Sequence, residues 1–138
     1  MSVKVVGAED LAVEISAQLG YFKGATLAVL EEATEQVAKE TARQIESNAV
    51  SAGIGGKKYI KSWTSKKQSR GNVASRIVYS KLPMLSHLLE DGHHIVYVKS
   101  GSRVHGGRTR SFPHIRKAKE WAQRRFMDVC AQKISEIK

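Results

Sequence analysis

A chain of 138 residues is the size of one domain, and we take 1–138 as that unit. At this length folding buries about two thirds of the surface, enough for one core. Apolar content of 41% and charged content of 26% exclude wholesale disorder. No apolar run nears the roughly 18 residues of a membrane span, so no membrane partner is expected. The first residues reach Glu9 and Asp10 too soon for a secretory leader. A single cysteine, Cys130, excludes an intrachain disulfide. The net charge of +10 is uneven. Residues 1–50 hold eight acids and four bases, residues 51–110 two acids and twelve bases, and residues 111–138 three acids and seven bases. A cationic middle suggests an anionic partner, nucleic acid or an acidic protein face.

In chain order, Leu11, Ile15 and Leu19 are spaced for a short helix, with Glu9 or Asp10 suited to its first turn. Gly20 and Gly24 then interrupt it. Residues 26–49 predict the longest helix, about 36 Å at 1.5 Å per residue. Leu27, Leu30, Val37, Thr41 and Ile45 make its stripe, with Ala33, Ala38, Ala42 and Ala49 beside it. Glu35 and Lys39 stand four apart in the favourable order. Gly53, Gly55 and Gly56 mark residues 47–58 as a flexible loop.

Residues 59–66 and 73–80 alternate around a turn at 69–72, which predicts a β-hairpin. Pro83 starts a short helix over 84–90 that Asp91 and Gly92 end. Residues 93–99 alternate again as a third strand. The segment 100–111, with Gly101, Gly106, Gly107 and several bases, predicts a mobile loop. Residues 112–138 close the chain as a helix, with Ser111 as N-cap and Pro113 near its first position. Ile115, Ala118, Ala122, Phe126, Val129 and Ile137 are its buried stripe. The class is α+β: a small antiparallel sheet of three to four strands against a long N-terminal helix and a C-terminal helix.

Several groups invite a chemical reading. His87, His93, His94, His105 and His114 with Asp91 would suit a metal-dependent nuclease, but no Cys pair or HExxH spacing accompanies them. Adjacent His93 and His94 on a strand point to opposite faces, so exposed or capping histidines are expected. The glycine segment at 51–58 departs from a phosphate-binding loop at Ser51 and Lys58. Cys130 reads as a small apolar filler. Tyr59 and Trp63 interleave with bases and could stack on nucleotides, although Trp63 fits the core face of a hairpin better. No catalytic residue, metal site or cofactor is expected, and no enzyme.

One pattern is more specific. His87-Leu88-Leu89-Glu90-Asp91-Gly92-His93 precedes a glycine stretch, Gly106-Gly107-Arg108, and then Pro113-His114 opens the last helix. This order resembles the tail-completion, or head–tail joining, proteins of long-tailed bacteriophages. Arg116-Lys117-Ala118-Lys119 departs from the acid-rich helix start common there. The resemblance implies a structural virion protein of the neck, made in the host cytoplasm, that forms a ring completing the tail. Its implied partners are further copies of itself (six, or alternatively twelve), the head-closure or connector proteins, and the tail terminator or tail tube. Contact with genomic DNA in the channel is a further expectation. The docking loops would present Lys57, Lys58, Arg103, His105, Arg108 and Arg110. The alternative function is a basic nucleic-acid-binding protein using residues 57–110.

Overall fold

The computed structural model describes residues 8–68 and 70–137, without the side chains of residues 8–12 and 14. The leader reading at 1–7, the first-turn acids, Leu11, Ser69 of the turn and Lys138 fall outside those descriptions. The element order is α1 (Ala8–Ser51), α2 (Lys57–Ile60), β1 (Trp63–Lys67), β2 (Arg76–Ser80), α3 (Pro83–Asp91), β3 (His94–Lys99), β4 (Ser102–Arg108) and α4 (Ile115–Ser135).

The two expected N-terminal helices are one. α1 runs 44 residues, about 66 Å, straight through Gly20 and Gly24. A glycine inside a helix costs only about 0.5–1 kcal/mol against alanine, and good helix formers such as Ala17, Leu19, Ala25 and Leu27 surround both. Its C-terminal half is the spine of the molecule. Ala33, Val37, Ala38, Thr41, Ile45 and Ala49 are buried there, and Thr41 satisfies its hydroxyl on the Val37 carbonyl at 2.6 Å. Leu27 and Leu30 are only half-buried.

α4 packs antiparallel on this face. Val129, Phe126, Ala122 and Cys130 meet Ala33 and Val37. The small side chains of α1 let the helices approach closely. Arg125 grips Glu40 through two hydrogen bonds, Nε to Oε2 at 2.9 Å and Nη2 to Oε1 at 3.3 Å. Lys133 reaches Glu32 at 3.6 Å. The expected Glu35–Lys39 pair forms at 3.0 Å. Burial pushes the Cys130 thiol up, in keeping with its place as an apolar filler.

The four strands form two separate two-stranded antiparallel sheets rather than one. In the first, Trp63 pairs with Ser80 and Lys67 with Arg76, and Arg70 and Val73 close the turn around Gly71. This hairpin packs on α1. The strand expected at 59–66 is shorter because residues 57–60 coil into α2 and bury Tyr59. The loop expected at 47–58 is largely structured. α1 continues to Ser51, and Ile54 is buried beside Ala49 and Tyr59.

The mobile loop expected at 100–111 is instead strand β4, paired with β3. Lys99 pairs with Ser102 across two residues, Ser100 and Gly101, both at positive φ (53° and 80°). A tight type I′ hairpin turn needs positive φ at both central positions. The register shifts between His94 and Val96, leaving Gly106 and Gly107 opposite Ile95 as a bulge.

Candidate functional site

The two motif segments that lie far apart in sequence meet in space. Glu90, at the end of α3, accepts hydrogen bonds from the first backbone N–H groups of α4. His114 N and Ile115 N donate to Oε2 at 2.7 and 2.9 Å, and Arg116 N donates to Oε1 at 3.0 Å. These are the donors a helix N-terminus leaves unpaired, at the positive end of its dipole. Ser111, the expected N-cap, does not fill this role: His114 is the N-cap residue, and Glu90 caps from another element. Burial opposes the charge on Glu90 most. The N–H groups of Ile115, His114 and Arg116, with the His114 ring, outweigh it and hold the carboxyl below its usual range.

His114 is fully buried, neither exposed nor a capping side chain as expected. Its Nδ1 lies 2.5 Å from the Phe112 carbonyl oxygen and 3.0 Å from Glu90 Oε2. A hydrogen on Nδ1 suits those two acceptors and leaves Nε2 to accept from the Tyr59 hydroxyl, 2.8 Å away. The Tyr59, Trp63 and His114 rings stand edge to face, with centroids 5.8–6.3 Å apart. Tyr59 and Trp63 therefore belong to this cluster rather than to a stacking platform for bases. Burial pushes the Tyr59 phenol up, and nearby Glu90 adds to that.

The remaining motif residues serve the same joint. Leu89 packs in the cluster around Tyr59, and its carbonyl accepts from Phe112 N at 2.6 Å. Leu88 is half-buried and His87 exposed. Gly92 has φ +72°, and a Cβ there would lie 2.6 Å from the Thr109 carbonyl oxygen. His93 is exposed; its N–H donates to Thr109 Oγ1 at 2.9 Å, and its carbonyl accepts from Thr109 N at 2.8 Å. Pro113 is exposed ahead of the helix. The whole is a latch that fastens α3 and the base of the second hairpin to the start of α4. Among the described residues, no group of three or more His, Cys, Asp and Glu side chains could hold a metal ion.

The residues read as docking groups divide between two places. Arg103, His105 and Arg108 are exposed on β4, and Arg110 follows with its guanidinium 5.2 Å from the Phe112 ring centre. Arg108 donates to the Asp91 carbonyl at 2.9 Å. Lys57 and Lys58 are exposed on α2, a separate element. The hairpin carrying the arginines is unusual: every residue of β3 is exposed, including Ile95, Val96, Tyr97 and Val98. Val98 is 71% exposed. Tyr97 and Ile95 lie over Gly106, where a Cβ would come 2.9 Å from the tyrosine ring. On the first half of α1, Val13, Ile15, Leu19 and Phe22 are likewise exposed. Sequence reading missed Tyr59 as the partner of His114 and Glu90 as the cap. No local signal marks contacts 55 and 24 residues apart.

No protein-family model, curated protein or solved structure matches this chain. No helix among the described residues is long and apolar enough to cross a membrane.

Proposed function

We propose that this chain is a structural subunit of a viral neck, assembling as a ring that completes the tail and joins it to the head connector. The β3–β4 hairpin carries this reading. An isolated two-stranded hairpin is marginal in water, and this one displays Ile95, Val96, Tyr97 and Val98 without a covering layer among the described residues. Such a surface suits an element that is completed by a neighbour. The latch supports the same reading, because it fixes the hairpin's base on two helices while leaving its length free. The mechanism is shape and assembly. The α1–α4 body supplies the ring wall, and the hairpin reaches the next subunit or the head and tail proteins.

The ends of the hairpin are hydrogen-bonded to each other through His93 and Thr109, so residues 94–108 can be replaced by a short Gly-Ser link without opening the body. That variant should fold but leave filled heads and finished tails unjoined under the electron microscope. Joined particles at normal yield would refute the role given to the hairpin. One observation favours a second reading, a nucleic-acid-binding protein. The same hairpin presents exposed Lys99, Arg103, His105 and Arg108, with Arg103 and His105 on the face opposite Tyr97. DNA affinity should then fall steeply from low to moderate salt. Absent or salt-independent binding removes that reading.

A further inference from the structure

The ion pairs along α4 fix where α1 loses its cover. Arg125 pairs with Glu40 and Lys133 with Glu32, so α4 runs out near residue 28 of α1. About 30 Å of helix therefore projects beyond it. At 3.6 residues per turn, Ile15, Leu19 and Phe22 continue the same face on which Ala33 and Val37 meet α4. Among the described residues that face is exposed in the projection, Leu19 by 65% and Phe22 by 53%.

The same chain carries a matching cavity. α4 and the β1–β2 sheet both rest on α1 and leave a groove between them of about 560 Å³. Val37, Ala38 and Ile45 of α1, Phe126 and Lys119 of α4, and Val78 and Arg76 of β2 line it. Arg76 touches Glu35 at 3.9 Å, and its Nε has no acceptor among the described residues. The projection cannot reach this groove in its own molecule. Leu19 and Val37 lie on one continuous helix, about 27 Å apart. A second copy can bring them together. Charge favours it: residues 8–28 carry three acids against one base, whereas Arg76 and Lys119 line the groove.

We propose that the free end of α1 of one copy lays Ile15, Leu19 and Phe22 into the groove between α4 and β2 of the next. The ridge and the groove are different surfaces, so the contact is head to tail, the type that makes a ring when its rotation closes. This inference rests on the ring-subunit reading and names the surface that would build the ring.

A complementation experiment tests it. The double variant Leu19→Asp, Phe22→Asp spoils the ridge, and Gln123→Trp narrows the groove; all three side chains are exposed, so folding should be kept. Unchanged thermal unfolding of each variant checks this. By sedimentation, each variant alone should self-associate at least about tenfold more weakly than the wild type. Mixed, the intact groove of the first and intact ridge of the second should pair at near wild-type affinity and stop at one-to-one. A ridge variant that associates like the wild type, a mixture that does not pair, or a wild-type chain still monomeric at about 1 mM each overturns the proposal. If wild-type rings form while the mixture fails, the docking mode falls and the ring reading stands. If the mixture pairs yet particles lacking the protein join normally, the neck reading falls and the docking mode stands.

Discussion

Replacing Glu90 by alanine removes the carboxylate that caps α4. Three N–H donors lose their acceptor, at 2.7, 2.9 and 3.0 Å, and Nδ1 of buried His114 loses one of two. A hydrogen bond to a charged group contributes about 1.5–3 kcal/mol, and loss of a helix N-cap costs about 0.5–2 kcal/mol. Arg116 N is exposed and regains water, whereas His114 is buried and its N–H does not. The expected loss is therefore about 3 kcal/mol, well short of three full bonds. For a domain of this length that lowers Tm by about 10 °C. Glu90→Gln keeps one acceptor oxygen and should lose roughly half as much. Chemical denaturation followed by far-UV circular dichroism measures both. A loss below about 0.5 kcal/mol for Glu90→Ala would show that water caps the helix as well, and the latch would be wrong.

Acid should weaken the same joint. The Glu90 carboxyl lies below its reference value of 4.5 in the folded chain, so its stabilisation is complete above the unfolded value and fades as pH falls through the folded one. The stability gap between wild type and Glu90→Gln should therefore shrink below about pH 4.5; a gap constant to about pH 3 contradicts it. Tyr59→Phe leaves His114 Nε2 without its partner in a buried site and should cost about 1–3 kcal/mol in denaturant unfolding. Gly92→Ala places a Cβ against the Thr109 carbonyl at positive φ and should cost at least about 2 kcal/mol, whereas a neutral result would mean that the backbone relaxes freely. Gly20→Ala and Gly24→Ala meet open space on a helix and should each stabilise α1 by about 0.5–1 kcal/mol, read as slower hydrogen exchange along residues 13–28.

Helical periodicity was legible wherever a face is buried. Val37, Thr41, Ile45, Ala118 and Val129 all fall on the faces that meet the core. Where periodicity competed with glycine, the glycines misled. Gly20 and Gly24 do not stop a helix whose neighbours favour it, and Gly106 and Gly107 sit in a bulge rather than a loop. The signal for β4 was present in Ser100-Gly101, a turn dipeptide, beyond which Val104 pairs with Tyr97. The hairpin around Gly71 was legible for the same reason. The latch was not, since a carboxylate that caps a helix across 24 residues leaves no local pattern. His114 illustrates the limit: its burial depends on Tyr59, Phe112 and Glu90, which three different parts of the chain bring to it.

The most direct test of a neck-ring subunit is the mass of the purified chain by native mass spectrometry, alone and with tail components. The account predicts a closed species of six or twelve copies that is lost in the Leu19→Asp, Phe22→Asp variant. A chain that stays monomeric in both settings would contradict it.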